Sequence, residues 1–127
     1  MSIIQLLFSG KGRLNRKPFW LIWLPLVVIS ATMQPLFENK SGFDSLTWVI
    51  FILPLALLVI WLWFAISIKR LHDVNFDGRW LLLGLIPLIG TIGLLIVAAR
   101  PGNVGANRFG PDPLEGLRRD ALPQSSA

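Results

Sequence analysis

LTWVIFILPLALLVIWLWFAISI, residues 46–68, decides the class of fold. It carries no charge from end to end, and as a helix it is apolar on all sides apart from Ser67. At about 1.5 Å rise per residue such a helix is roughly 35 Å long, enough to cross a hydrocarbon core of about 30 Å. Two more stretches of similar length, Phe19–Phe37 and Trp80–Ala99, are equally free of charge. Helices buried in soluble proteins are rarely so long and so uncharged. Over the whole chain 54% of residues are hydrophobic and 15% charged, against roughly 25% charged in an ordinary soluble domain. Too few charged groups remain to cover a surface facing water.

The expected architecture is therefore all-α: a polytopic membrane helical bundle of three apolar segments, without a sheet. Its 127 residues leave room for one domain, placed at residues 1–113, with a flexible C-terminal tail over 114–127. Lys11, Arg13, Arg16 and Lys17 ahead of an apolar run imitate a signal peptide. The run continues past Ser30-Ala31 to Phe37, however, so an uncleaved first span is expected. The patch Ile3–Phe8 suits an interfacial segment lying flat on the membrane, or else a disordered terminus.

Basic residues in short flanks orient a membrane protein. Four precede the first span, one lies in the Glu38–Ser45 turn, three in the loop 69–79 and four in the tail. Three crossings with the N-terminus in the cytoplasm place seven inside and five outside, a weak preference. The third segment is interrupted by Pro87, Gly90 and Gly93. Three kinked crossings are the leading expectation, because a charge-free stretch of about 20 residues ordinarily crosses. A re-entrant hairpin turning at Pro87–Gly90 is the alternative; it would leave only Lys40 outside, but needs protein to cover its backbone.

The net charge of +5 raises the question of nucleic acid. The Lys and Arg residues flank apolar segments instead, as interfacial anchors attracted to anionic headgroups do, and no nucleic-acid partner is expected. Without Cys there are no disulfides or thiolates, and with one His a conventional zinc site is not expected. No cofactor is expected.

The polar residues concentrate in a few places. Trp20, Trp23, Trp48, Trp63 and Trp80 lie near predicted segment ends, the pattern of an aromatic belt. Lys69 and Arg70 close the second span and complement its dipole; Asp73, three residues on, can pair with Arg70. Asp77 is placed to cap the next helix ahead of Arg79 and Trp80. His72 is the one His, and beside Asp73 it invites a catalytic reading, although a His-Asp dipeptide is common by chance. In the tail, Asn107, Arg108 and Asp112 sit in a Gly- and Pro-rich turn that could dock on the 69–79 loop. Gly90, Thr91 and Gly93 form a small-residue patch suited to close helix packing.

These same residues carry a family likeness. Gly12-Arg13-Leu14-Asn15-Arg16-Lys17-Pro18-Phe19-Trp20 resembles the opening G-R-x-x-R-x-x-[FY]-W of the domain-of-unknown-function 805 family of small bacterial inner-membrane proteins. Lys69-Arg70-Leu71-His72-Asp73, then Gly78 and Trp80, is similar to its R-R-L-H-D…G-W-W element. Ile86-Pro87-Leu88-Ile89-Gly90 and Gly105-x-Asn107-Arg108-Phe109-Gly110-Pro111-Asp112-Pro113 resemble its P-x-x-G and G-x-N-R-[FY]-G-x-D-P elements. Lys69 stands for an Arg, Arg79 for a Trp and Phe109 for the commoner Tyr. The resemblance implies a multi-pass membrane protein and no assigned activity.

The leading functional expectation is a non-enzymatic structural or interaction protein. Its basic, Trp-rich surface (Arg13, Arg16, Trp20, Lys69, Arg70, His72, Asp73, Arg79, Trp80, Asn107, Arg108, Asp112) would bind anionic membrane lipid or a partner membrane protein, with self-association into a homo-oligomer also expected. A transporter or channel subunit is one rival, motivated by the broken third segment but opposed by spans without ionisable residues. An interfacial enzyme using His72 and Asp73 is the other.

Overall fold

The computed structural model describes residues 3–38 and 45–121; the expected turn around Lys40 lies outside the described residues. Among them the chain is mostly helical and contains no sheet. In order come α1 (Ile3–Phe8), α2 (Arg16–Glu38), α3 (Ser45–Thr47), a π-helical stretch Trp48–Ile52, α4 (Leu53–Asp73), a 3₁₀ helix Gly78–Leu85, α5 (Pro87–Ala99) and α6 (Glu115–Ala121).

Two helices are long and apolar enough to cross a membrane, over Arg16–Pro35 and Trp48–Asp73. In each, only 17% of the apolar window is buried within the protein. Leu57, Ile60, Trp61 and Leu21 face outward, each more than half exposed. A soluble protein could not leave such continuous apolar faces in water. The π-type widening before α4 has a local cause. Pro54 supplies no N–H and its ring crowds the Ile50 carbonyl, and the preceding turn opens so that the Leu53 N–H bonds the Trp48 carbonyl.

The third apolar segment does not continue as a third long helix. Its first half is 3₁₀ up to Leu85, Ile86 is extended (φ −95°, ψ 102°), and Pro87 starts α5 afresh. The chain thereby reverses: a Cβ at Gly90 would collide with the Gly84 backbone and lie 2.6 Å from the Leu83 carbonyl oxygen. Both ends of the segment consequently lie beside the C-terminus of α4. At the start, Gly78 approaches Ile68 and His72. At the finish, the Val97 and Arg100 carbonyls accept hydrogen bonds from Arg70. Where one kinked helix was the leading expectation, the segment consists of two short helices folded back on each other. Proline and glycine act together, since proline breaks the helix while the missing side chain at Gly90 lets its halves close on each other.

The tail holds α6, over Glu115–Ala121. Asp112 explains it: its backbone carbonyl accepts from the Glu115 N–H, and its carboxylate takes the Leu114 N–H at 2.9 Å and pairs with Arg118.

The core is narrow. Phe19, Leu26 and Met33 of α2 meet Ala56, Val59 and Ile66 of α4, with Leu14 and Ala98 closing the end where the basic residues gather.

Candidate functional site

That end is organised by three buried charged side chains. Arg13 comes from the loop before α2, and Arg70 and Asp73 come from the last turn of α4. All three are at most 3% exposed. Asp73 Oδ1 accepts from Arg13 Nε at 3.1 Å, and Oδ2 accepts from Arg70 Nη1 at 2.5 Å. Two guanidinium groups on one carboxylate leave a buried positive charge, which backbone carbonyls stabilise. Arg13 donates to the carbonyls of Asn103 and Gly105 (2.6 Å), and more distantly Gly110. Arg70 donates to Leu14 (3.3 Å), Val97 (3.2 Å) and Arg100.

The arrangement also answers where the last carbonyls of α5 find partners, since a helix C-terminus leaves four unsatisfied. Val97 accepts from Arg70, Ala99 from Arg16 and Ile96 from the Arg100 N–H. Cations at this point also complement the negative end of the helix dipole. The three charged side chains thus stitch the N-terminal loop, α4, α5 and the tail into one unit. Gly102 is required at the seam, because a Cβ there would collide with the Asp73 carboxylate. The neighbouring Asn103 N–H bonds the Asp73 carbonyl at 2.8 Å.

A second layer docks the tail turn. Asn107 donates to the His72 carbonyl (2.9 Å), Arg108 to the Asn75 carbonyl (3.2 Å), and the Phe109 ring stacks on His72 at 3.8 Å and 6°. Arg108 also lies over the Phe109 ring, 4.6 Å from its centroid. His72 Nδ1 meets the Gly12 carbonyl at 3.2 Å and, facing an acceptor, carries the proton. His72 and Asp73 therefore point to different partners, and the pair is not assembled as a catalytic dyad. Burial raises the Asp112 carboxyl pKa, but N–H groups from Leu114 and Gly105, then the Arg118 and Arg13 charges, hold it below the ordinary value. Asp77 is held low by the Arg79 N–H that it accepts at 3.0 Å as the cap of the 3₁₀ helix.

The twelve residues singled out by sequence thus divide by environment. Arg13, Lys69, Arg70, Asp73 and Asp112 are buried, and the side-chain polar groups of all five are engaged by the protein itself. Lys69 donates to the Gln5 carbonyl and holds α1 against α4. His72, Asn107 and Trp20 are half-buried; Arg16, Arg79, Trp80 and Arg108 face outward. Sequence reasoning missed Gly102 and the carbonyls of Leu14, Asn103 and Gly105. A carbonyl acceptor leaves no mark on residue type.

The family model described as a protein of unknown function (DUF805) matches residues 7–111. The chain belongs to that family. It is 32% identical over 117 residues to inner membrane protein YhaH of Escherichia coli (strain K12), covering 89% of this chain and 93% of that protein. To inner membrane protein YhaI of the same strain it is 31% identical over 116 residues, covering 89% and 92%. Uncharacterized protein YiiR of that strain is 34% identical over 86 residues, 68% of this chain and 56% of that protein. No solved structure matches. In this DUF805 chain the matched region holds the whole Arg13–Asp73–Arg70 brace with its carbonyl partners, and ends just before Asp112.

Proposed function

We propose that this is a non-enzymatic, multi-pass inner-membrane protein whose braced basic face lies in the cytoplasm and binds anionic lipid headgroups. One observation carries the reading. Of the 12 Lys and Arg residues, eleven lie among the described residues, and all eleven belong to segments joined at the Arg70 end of the bundle. Arg16, Lys17, Arg79, Arg100 and Arg108 remain exposed there, at the level where a negatively charged leaflet attracts cations. Trp20 and Trp80 lie beside them, as interfacial anchors do.

The path of the third segment follows from the same reading. It enters and leaves the bilayer on the cytoplasmic side, with α2 and α4 covering one side of its broken backbone. The chain lacks cysteine, so single cysteines report location cleanly. In spheroplasts, a membrane-impermeant maleimide is expected to label Ser41→Cys and spare Ala106→Cys. Labelling at Ala106 would overturn the cytoplasmic tail and the re-entrant path together.

Headgroup binding is tested on the exposed cations, because reversing Arg13 or Arg70 would disturb the fold. Protein extracted in mild detergent is expected to carry phosphatidylglycerol enriched over the bulk membrane. In the triple variant Lys17→Glu, Arg79→Glu, Arg100→Glu that enrichment should fall to the bulk ratio. Unchanged enrichment would sink the lipid reading.

A further inference from the structure

The third apolar segment is a hairpin of two short legs. Its 3₁₀ leg, Gly78–Leu85, has 8 residues and α5 has 13, lengths of about 16 Å and about 20 Å at rises of roughly 2.0 and 1.5 Å per residue. The helical run Trp48–Asp73 beside it has 26 residues and extends about 39 Å. Both legs are anchored at the Arg70 end, so the tip lies near the middle of a hydrocarbon core about 30 Å thick. We propose that the protein is a wedge: it fills the cytoplasmic leaflet more than the opposite one and concentrates in membrane whose cytoplasmic face is convex. The inference rests on the re-entrant path and on the cytoplasmic placement of the basic face.

Three observations support it. First, the tip is suited to stand in lipid. Leu85 and Leu88 are 79% and 73% exposed. The turn's backbone meanwhile finds partners within the turn. The Ile86 N–H bonds the Leu83 carbonyl, the Gly90 N–H the Ile86 carbonyl and the Thr91 hydroxyl the Pro87 carbonyl, while Pro87 has no N–H to satisfy. Irregular backbone at membrane depth requires such satisfaction, and these groups need no covering helix.

Second, the legs accompany only half of the long helices. The cleft between hairpin and bundle is walled by Trp23 of α2 and by Trp63 and Leu71 of α4, all in the halves nearer Arg70, with Gly84 and Gly90 on the hairpin side. Farther out, the core residues are Met33 of α2 and Ala56 and Val59 of α4. Among the described residues, α2 and the helical run Ser45–Asp73 alone form that half. At a helix diameter of about 10–12 Å, each leg adds roughly 100 Å² to one leaflet and nothing to the other.

Third, α1 adds to the same side. Lys69 holds it to the end of α4 through the Gln5 carbonyl, level with the basic rim. Ile4 and Phe8, four residues apart and so on one helical face, are 72% and 51% exposed. An apolar helix face at that level enters the boundary between headgroups and acyl chains and spreads the same leaflet further.

The test uses the full chain in giant vesicles of phosphatidylcholine and phosphatidylglycerol, from which narrow membrane tubes are pulled. An impermeant maleimide dye, added after reconstitution, marks through Ala106→Cys only the copies whose cytoplasmic face is outward. Through Ser41→Cys it marks only the inverted copies. Ala106-labelled protein is expected to be enriched in the tube at least about two-fold, the shift produced by a preference of about 0.4 kcal/mol. Ser41-labelled protein should be depleted there. Equal density in tube and vesicle for both labels, or the opposite order, would overturn the wedge. The same sorting is expected in phosphatidylcholine alone, because shape and not charge drives it. Sorting lost in that lipid would assign it to the headgroups, overturning the wedge and leaving the headgroup reading standing. Labelling of Ala106→Cys in spheroplasts is the separate failure, which removes the re-entrant path and the wedge with it. Ile4→Asn with Phe8→Asn should lessen the enrichment, and an unchanged value would reject α1 as part of the wedge. A disulfide-linked dimer through Ala31→Cys, exposed in the outer half of α2, would place a second copy in the space beside the long helices and overturn the wedge.

Discussion

Asp73→Ala is expected to lower stability by about 3–5 kcal/mol, the loss typical of removing one partner from a buried ion pair. The substitution leaves Arg13 and Arg70 facing each other at a point excluded from water, with no carboxylate between them. Asp73→Asn should cost less, since its amide oxygen still accepts, although its NH₂ then faces a guanidinium. Thermal unfolding in one detergent, followed by tryptophan fluorescence, measures both. A loss below about 1 kcal/mol for Asp73→Ala would place the pair among ordinary exposed ion pairs and refute its role as the brace. Adding Arg13→Met and Arg70→Met to Asp73→Ala should recover part of the loss, because the stranded charges are gone. Recovery remains partial, since the carbonyls of Leu14, Val97 and Asn103 lose their donors.

Gly90→Ala is the second large effect expected. Its methyl group would have to occupy the space of the Gly84 backbone. Backbone cannot rotate aside as a side chain can, so the two halves of the third segment are forced apart. Overpacking of this kind costs about 1–3 kcal/mol. Gly84→Ala is the matched control: its Cβ enters open space, and it should remain within about 0.5 kcal/mol of wild type. Equal melting temperatures for the two variants would show that the turn does not rest on this contact. The pair discriminates well because both residues are glycines on the same cleft.

The structure also changes how the charged residues are read. Arg70 at the end of an apolar helix looks, by position, like a cation snorkelling to the interface. Instead its guanidinium turns inward and caps α5, a helix that begins only at Pro87, beyond the whole 3₁₀ stretch. Arg13 looks like one more basic residue of a positive flank, yet it reaches Asp73, on the far side of two long helices in the chain. Nothing local separates these two from Arg16 or Arg79, which stay exposed. Burial of an ionised group is settled by the partners available after folding, and these partners are mostly backbone carbonyls. Asp73 was legible as a partner of Arg70 because the spacing of three residues lies within one helical turn. Its second partner was not.

His72 makes the same point from the other side. Its neighbour Asp73 in sequence belongs to another network in space, and the ring serves as a platform for Phe109. The tail turn was readable as rigid from its Gly, Asn and Pro residues. Its landing place on the 72–75 corner required the reversal of the third segment, which brings residue 100 back to the end of α4.

Length and charge-free composition were enough to establish a membrane protein with two long apolar helices, because crossing a bilayer depends on transfer energy summed along one continuous segment. The flank charges and tryptophans likewise mark an interface without reference to any distant residue. The third apolar segment is different in kind. Pro87 and the glycines announced a break, but a break is compatible with a kinked crossing and with a reversal. Only the contact of Gly84 with Gly90, and the capture of both segment ends beside α4, selects the reversal. That choice belongs to tertiary structure, since it depends on which backbone surfaces meet and which carbonyls Arg70 can reach.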